Sequence, residues 1–350
     1  MSDVVRARSP SARPSQTSGE AAAAIQDDQD EADATPESLP VGAARPTPAS
    51  LPHSGIAASI ASRLPDFEVI LEDGDADNPK SWPIRYRGWC IVAVSLSTWV
   101  VTLLSTSYSA SLTGLADEFG ATTTLVALGM TTYLLGLAVG TLILAPMGEL
   151  YGRRVVYIVC LSSWALLNVP CGLAHSLTAI IVIRFFGACL GAVTISNGPG
   201  TVVDVSHPEY LARAMSLFGF APFNGPVTAP IIGGFVFQYM GWRWANWIVL
   251  IIAGVCIALV LTVEETYAPT ILKRKAARLR RQTGDPRWWC RYDQRRVSTL
   301  QLLRVNLSRP FILFATEPIL WFMNLWISIA YSILYFCFIA YPVVFSQHRG

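Results

Sequence analysis

Charged side chains are scarce in the apolar stretches of this 350-residue chain, so the few that fall there mark where chemistry is possible. Arg184 is the only basic residue well inside an apolar run, Ile-Val-Ile-Arg-Phe-Phe-Gly-Ala-Cys-Leu-Gly191. Such a charge is costly unless it is paired or snorkels to an interface. About five residues, ~8 Å of helix, separate it from the outer end of its run, which leaves snorkelling open. Carboxylates are absent from the depth of the first six runs. Asp117 and Glu118 fall in a link, Asp204 closes the fourth run, Glu264 and Glu265 follow the sixth, and Glu317 opens the seventh. Moving a proton needs a group that titrates with conformation, which would have to be Asp204, Glu317 or one that this sequence lacks. Groups able to line a cavity for a flat or cationic organic molecule are Ser107, Tyr108, Tyr133, Asn197, Phe220 and Asn224. Each also suits an ordinary interhelical hydrogen bond or a lipid-facing ring.

Other chemistries find no footing. The seven cysteines lie mostly inside apolar runs, with Cys290 in a basic loop, and no CxxC spacing or His/Asp cluster suggests a metal or a nucleophile. No G-x-x-x-x-G-K occurs, which argues against transport driven directly by ATP. Nothing points to an enzyme or to a cofactor.

The elements that must hold these groups are membrane helices. Hydrophobic residues make up 52% of the chain and charged ones 14%, with a mean hydropathy of +0.42. Soluble domains carry about 25% charge. A helix needs about twenty apolar residues to span the hydrocarbon, and seven stretches qualify: 88–112, 124–147, 155–174, 179–203, 216–239, 244–263 and 318–345. Lys80, Arg85, Arg87, Arg153, Arg154 and Arg213 flank alternate ends, and the loop 264–309 holds twelve Lys+Arg against four acids. By the positive-inside rule the N-terminus is cytoplasmic, which opposes a seven-helix receptor. Residues 1–79 hold five Arg against fourteen Asp+Glu and a single aromatic, Phe67, and read as a disordered acidic cytoplasmic tail. Residues 80–263 form a six-helix bundle. Residues 264–309 form a basic cytoplasmic loop, in which Leu272, Ala276 and Leu279 give an amphipathic helix suited to anionic lipid rather than nucleic acid. Residues 310–350 hold the first helix of a second bundle.

Three motifs sharpen the reading. Ala145-Pro-Met-Gly-Glu-Leu-Tyr-Gly-Arg-Arg154 sets Glu149, Gly152, Arg153 and Arg154 at a membrane face. Arg184 opens the second. The third, Gly225-Pro-Val-Thr-Ala-Pro-Ile-Ile-Gly-Gly234, puts prolines and paired glycines in one membrane helix, where they free backbone carbonyls and let a neighbour approach closely. Gly136-x-x-x-Gly140 and Gly187-x-x-x-Gly191 add close-packing sites.

The first motif resembles the loop signature of the major facilitator superfamily, G-x-L-a-D-r-x-G-r-r, with Glu149 at the acidic position, Ala145 for the leading Gly and Leu150 for the basic residue. Arg184 resembles the superfamily's fourth-helix Arg, R-x-x-q-G, with Gly187 and Ala188 replacing q-G. The third motif resembles the antiporter signature g-x-x-x-G-P-x-x-G-G, matched by Gly225, Pro230, Gly233 and Gly234, with Pro226 inside it and Ala229 for a Gly. Asn78-Pro-Lys-Ser-Trp-Pro, Gly241-Trp-Arg-Trp244 and the Glu264–Arg281 stretch resemble the fungal drug:proton antiporters of about twelve helices. The resemblance implies an all-α membrane fold and a conformational lock at Glu149, Gly152, Arg153 and Arg154. It also implies proton coupling through Arg184, and proton-driven export of small organic molecules by alternating access. About five further helices would complete such a transporter, so the sequence is expected to be truncated. A chain ending at Gly350 would instead be inactive or modulate a full-length relative. The plasma membrane is expected before the vacuole, and the oligomeric state is open.

Overall fold

The computed structural model describes residues 67–72, 74–292 and 299–348; residues 1–66 of the expected tail lie outside the described residues. The helices are α1 Ile84–Ser107, α2 Leu112–Phe119, α3 Thr123–Tyr151, α4 Arg153–Gly172, α5 Leu177–Gly191 and α6 Val193–Val205. They continue with α7 Pro208–Met240, α8 Trp242–Leu261, α9 Ala268–Thr283, α10 Thr299–Thr316 and α11 Pro318–His348. Among the described residues, seven segments are long and apolar enough to cross a bilayer: Ile84–Phe119, Thr123–Tyr151, Arg153–Gly172, Leu177–Val205, Pro208–Met240, Trp242–Leu261 and Pro318–Phe338. Each coincides with an expected span. The fold is all-α.

Hydrocarbon supplies no hydrogen bonds, so polar residues inside spans must find partners within the protein. The Ser/Thr-rich half of α1 does this against its own backbone, with Thr98 Oγ1 donating to Val94 O, Thr102 Oγ1 to Thr98 O and Ser97 Oγ to Ala93 O. α7 packs directly on α1 through a stripe of small residues four apart, Gly225, Ala229 and Gly233. A Cβ built at Gly225 would lie 2.1 Å from Thr102 Oγ1 and 2.8 Å from Trp99 O. Pro230 lacks the N–H that would bond Pro226 O four residues earlier; Thr106 Oγ1 donates to that carbonyl instead, at 3.1 Å. Gly136 and Gly140 pack α3 on the next hairpin in the same way, with built Cβ positions 2.4 Å from Phe185 O and 2.2 Å from Cys189 O. The interior fills with Trp164, Tyr133, Leu103, Leu104 and Leu161, all buried, while Leu166, Phe235 and Ile251 face outward.

Three boundaries differ from the sequence reading. Asp117 and Glu118 are not in a link but in α2, which continues the first span after a short 3-10 turn at Ser109–Ser111. Glu118 is there held by Arg243 Nη2 at 2.7 Å and Trp242 Nε1 at 2.5 Å, tying the first span to the start of the sixth. The helix α10 runs across the 309/310 boundary, because Pro310 is tolerated within it, and the break falls at Glu317 before Pro318. Residues 67–72 and 74–79, assigned by composition to the disordered tail, make defined contacts: Val69 N donates to Trp289 O at 2.9 Å and Trp289 N to Phe67 O at 3.0 Å. Composition within a window cannot register a partner two hundred residues away.

The α1–α7 contact yields a paired prediction. Gly225→Ala forces its methyl into Thr102 and the α1 backbone and lowers unfolding stability by about 1–3 kcal/mol. Gly234→Ala, whose Cβ meets nothing within 4 Å, is neutral or stabilising by up to ~1 kcal/mol through helix propensity. Thermal unfolding of the detergent-solubilised protein measures both.

Candidate functional site

The loop between α3 and α4 is a single residue, Gly152, at φ +93° and ψ 149°. That reversal places Arg153 as the first residue of α4, pointing inward, where it is only 9% exposed. Its Nε lies 2.5 Å from Asp204 Oδ2 at the end of α6. Nη1 is 3.4 Å from both Asn197 O and Asn197 Oδ1, and the guanidinium lies 5.3 Å from the Tyr267 ring centroid. Space for it exists because a Cβ at Gly200 would fall 2.4 Å from Arg153 Nη2. The Arg153 backbone N–H, an orphan donor at a helix start, donates to Glu265 Oε1 at 2.9 Å. The same oxygen accepts from Tyr267 N at 3.1 Å. A Cβ at Gly152 would lie 2.4 Å from Glu265 Oε2, so this carboxylate seats against the turn. Burial pushes the Tyr267 phenol above its ordinary range. Arg154 turns outward and donates to Leu261 O at 3.1 Å.

A second charged centre lies deeper. Arg184 does not snorkel: it is 3% exposed and points into the bundle. Its Nε donates to Gly129 O at 2.9 Å, and Nη2 to Leu104 O at 3.0 Å and Ser105 O at 3.4 Å. The guanidinium rests over Tyr108 and Tyr133 at 4.4 and 4.9 Å from their centroids. Carbonyl dipoles and ring faces replace its hydration. Tyr133 is itself fixed by donating to Val101 O at 2.8 Å. A cavity of ≈ 20 Å³, about the volume of one water, opens beside Arg184, Tyr108, Ser107 and Ser111. Tyr335 of α11 reaches this centre from outside, its hydroxyl 2.9 Å from Ser105 Oγ.

The sequence candidates therefore separate into distinct places. Gly152, Arg153, Asp204 and Asn197 meet in the first cluster, so Asp204 joins the expected lock and Asn197 lies against Arg153 rather than in a cavity. Glu149 is exposed at the end of α3. Ser107, Tyr108 and Tyr133 gather with Arg184. Phe220 and Asn224 line an open apolar groove of ≈ 380 Å³ between α1 and α7, with Trp99 and Thr228. Gly225, Pro226 and Gly233 sit at the α1 contact, and Glu317 is exposed at the α10–α11 break. Glu265 was missed as a site residue; its signal was an acid a few residues past a span, facing the loop that carries the Arg pair. Among the described residues, no group of His, Cys, Asp and Glu is arranged to hold a metal.

Removing one member of the Arg153–Asp204 pair leaves the other buried without its counter-charge, so Asp204→Leu and Arg153→Met each cost about 3–5 kcal/mol. The double variant is expected to lose much less than the sum, and a double-mutant cycle on unfolding measures the coupling.

With this geometry in hand, the relatives are informative. Residues 94–350 match the family model of the Major Facilitator Superfamily. The chain is 36% identical over 291 residues to a major facilitator superfamily multidrug transporter of Aspergillus fumigatus, covering 81% of this chain and 47% of that protein. It is 31% identical over 314 residues to a multidrug transporter of Candida glabrata, covering 89% and 52%. It is 34% identical over 292 residues to an efflux pump of Gibberella moniliformis, covering 81% and 48%. Among solved structures, the proton:xylose symporter XylE shares the fold at a TM-score of 0.50 and 13% identity, over 69% of this chain and 57% of that one. The chain spans about half the length of the curated relatives it matches. Its helices and sequence together place it in one family: the chain belongs to the major facilitator superfamily and is related to fungal multidrug transporters and efflux pumps.

Proposed function

We propose that the protein exports small organic molecules, such as drugs, toxins, secondary metabolites or polyamines, in exchange for protons. Residues 80–263 serve as one six-helix bundle of an alternating-access cycle. In this reading the N-terminus is cytoplasmic and the plasma membrane, rather than the vacuole, is the site of action. The observation that carries the proposal is the cluster at Arg153. Asp204 pairs with the buried Arg153 guanidinium, and the 6%-exposed Glu265 accepts from the backbone N–H of the same residue. Neutralising either carboxylate would weaken the hold between the start of α4, the end of α6 and the Glu265–Tyr267 stretch after α8. Arg184 supports the same reading, as a fixed cation at depth whose field favours release of a proton from any acid brought near it. The fungal relatives named for multidrug transport and efflux supply the cargo class.

The test is dye export from a host stripped of its own exporters. Expression should lower dye accumulation, and a protonophore should restore it. Glu265→Gln keeps an acceptor for the Arg153 N–H but removes the charge; it is expected to cut gradient-driven export by about tenfold, within the usual range of coupling energies. Arg184→Leu should abolish export. If expressing cells retain as much dye as controls and the pH gradient makes no difference, proton-driven export is the wrong reading.

A further inference from the structure

The cationic helix α9 has its apolar face already occupied. Six cations, Lys273, Arg274, Lys275, Arg278, Arg280 and Arg281, fall within its sixteen residues. Its apolar stripe of Leu272, Ala276 and Leu279 packs against Val69 and Trp288, with Ala276 and Cys290 fully buried and Val69 5% exposed. The acidic segment before the first span supplies the cover. Asp75 pairs with Lys275, Asp77 with Arg278 at 3.8 Å, and Val69 is held to Trp289 by the backbone bonds already described. On the far side, Arg280 Nε donates to Trp288 O at 2.6 Å. The cover is continuous with the first span, since Gly74 N donates to Ser81 Oγ at 2.9 Å and Trp82 Nε1 to Ala76 O at 3.0 Å. Lys273, Arg274 and Arg281 remain exposed.

We propose that α9 is an anionic-lipid-binding surface that residues 67–77 keep masked, and that acidic headgroups compete with Asp75 and Asp77 for Lys275 and Arg278. An apolar stripe flanked by cations is the pattern of a helix that lies in the membrane interface. Its place at the end of the sixth span sets it beside headgroups. Partly exposed ion pairs are weak and screened by salt, whereas the attraction of several cations to an acidic leaflet adds up. The apolar exchange is close to even, because the stripe leaves Val69 and Trp288 for the acyl boundary. The masked and lipid-bound arrangements therefore differ mainly in which anions face the cations. The Lys275 hydrogen bond holds the Asp75 carboxyl below its ordinary range. That pair's contribution is present above the ordinary carboxylate range and is lost only as pH falls through the lowered value. Lipid charge, and not pH near neutrality, is the variable that acts on it. The inference is independent of the cargo.

Hydrogen exchange on the full chain in nanodiscs tests it, comparing phosphatidylcholine alone with phosphatidylcholine plus phosphatidylserine. With the acidic lipid, the Val69 and Trp289 amides are expected to exchange about tenfold faster while the amides of α9 stay protected, because the helix changes partner without unfolding. High salt should reverse the effect. The Asp75→Asn/Asp77→Asn variant should reach the released state at a lower phosphatidylserine content, and Val69→Asp should reach it in phosphatidylcholine alone. Span amides serve as the control that each variant is folded. Equal Val69 exchange in both lipids overturns the proposal. So does joint loss of protection in α9 and residues 67–72, which would mean local unfolding and not a change of partner.

Discussion

Hydrocarbon gives a polar group nothing to bond to, and the arrangement of this bundle follows from how each such group is satisfied. The first span carries an unusual load of hydroxyls, and most of them fold back onto their own helix. Thr106 joins helices because Pro230 has left a carbonyl open on α7, and Thr98 and Ser105 also reach across, to Thr194 O and to the Tyr335 hydroxyl. Closeness of α1 and α7 is therefore both permitted, by Gly225 and Gly233, and required, by that carbonyl. A side chain on Gly225 would press into Thr102 and the α1 backbone and so work against that bond.

The two buried guanidiniums solve the same problem differently. Arg153, near the end of the bundle, keeps a carboxylate as its counter-charge and borrows a backbone carbonyl and an amide side chain. Arg184, deeper, is satisfied by carbonyls and aromatic faces alone among the described residues. The first is held by an opposite charge on another helix, Asp204 of α6. The second is held by groups that carry no formal charge.

Much of this was legible in the sequence. The seven spans could be read from hydropathy because a membrane segment is long and nearly free of charge, so the signal is contiguous. The Gly-Pro run on α7 and Gly136/Gly140 announced close packing for the same reason. The pairing of Arg153 with Asp204, fifty-one residues away, was not legible: spacing says nothing about which helix ends meet. Nor was the inward turn of Arg184, which depends on carbonyls that any residue supplies. Glu265 and the Phe67–Asp77 segment were hidden because their partners lie far along the chain, and because an acid beside a basic loop looks the same whether solvated or buried.

The first and sixth spans are joined at both of their ends. Tyr86 donates from its hydroxyl to Thr262 O at 3.0 Å at one end, and Glu118 holds Arg243 and Trp242 at the other. The Tyr86–Thr262 contact spans 176 residues, so its two sides leave the ribosome about 9–35 seconds apart at ~5–20 residues per second. For that interval the earliest helix waits in the bilayer with its terminal hydrogen-bonding groups uncommitted, beside whatever the insertion machinery offers. Closure of the first span onto the sixth is thus timed by the arrival of the sixth. A lesion in Trp242 or Arg243 would act as a defect of biogenesis, lengthening the exposure of a helix made long before it.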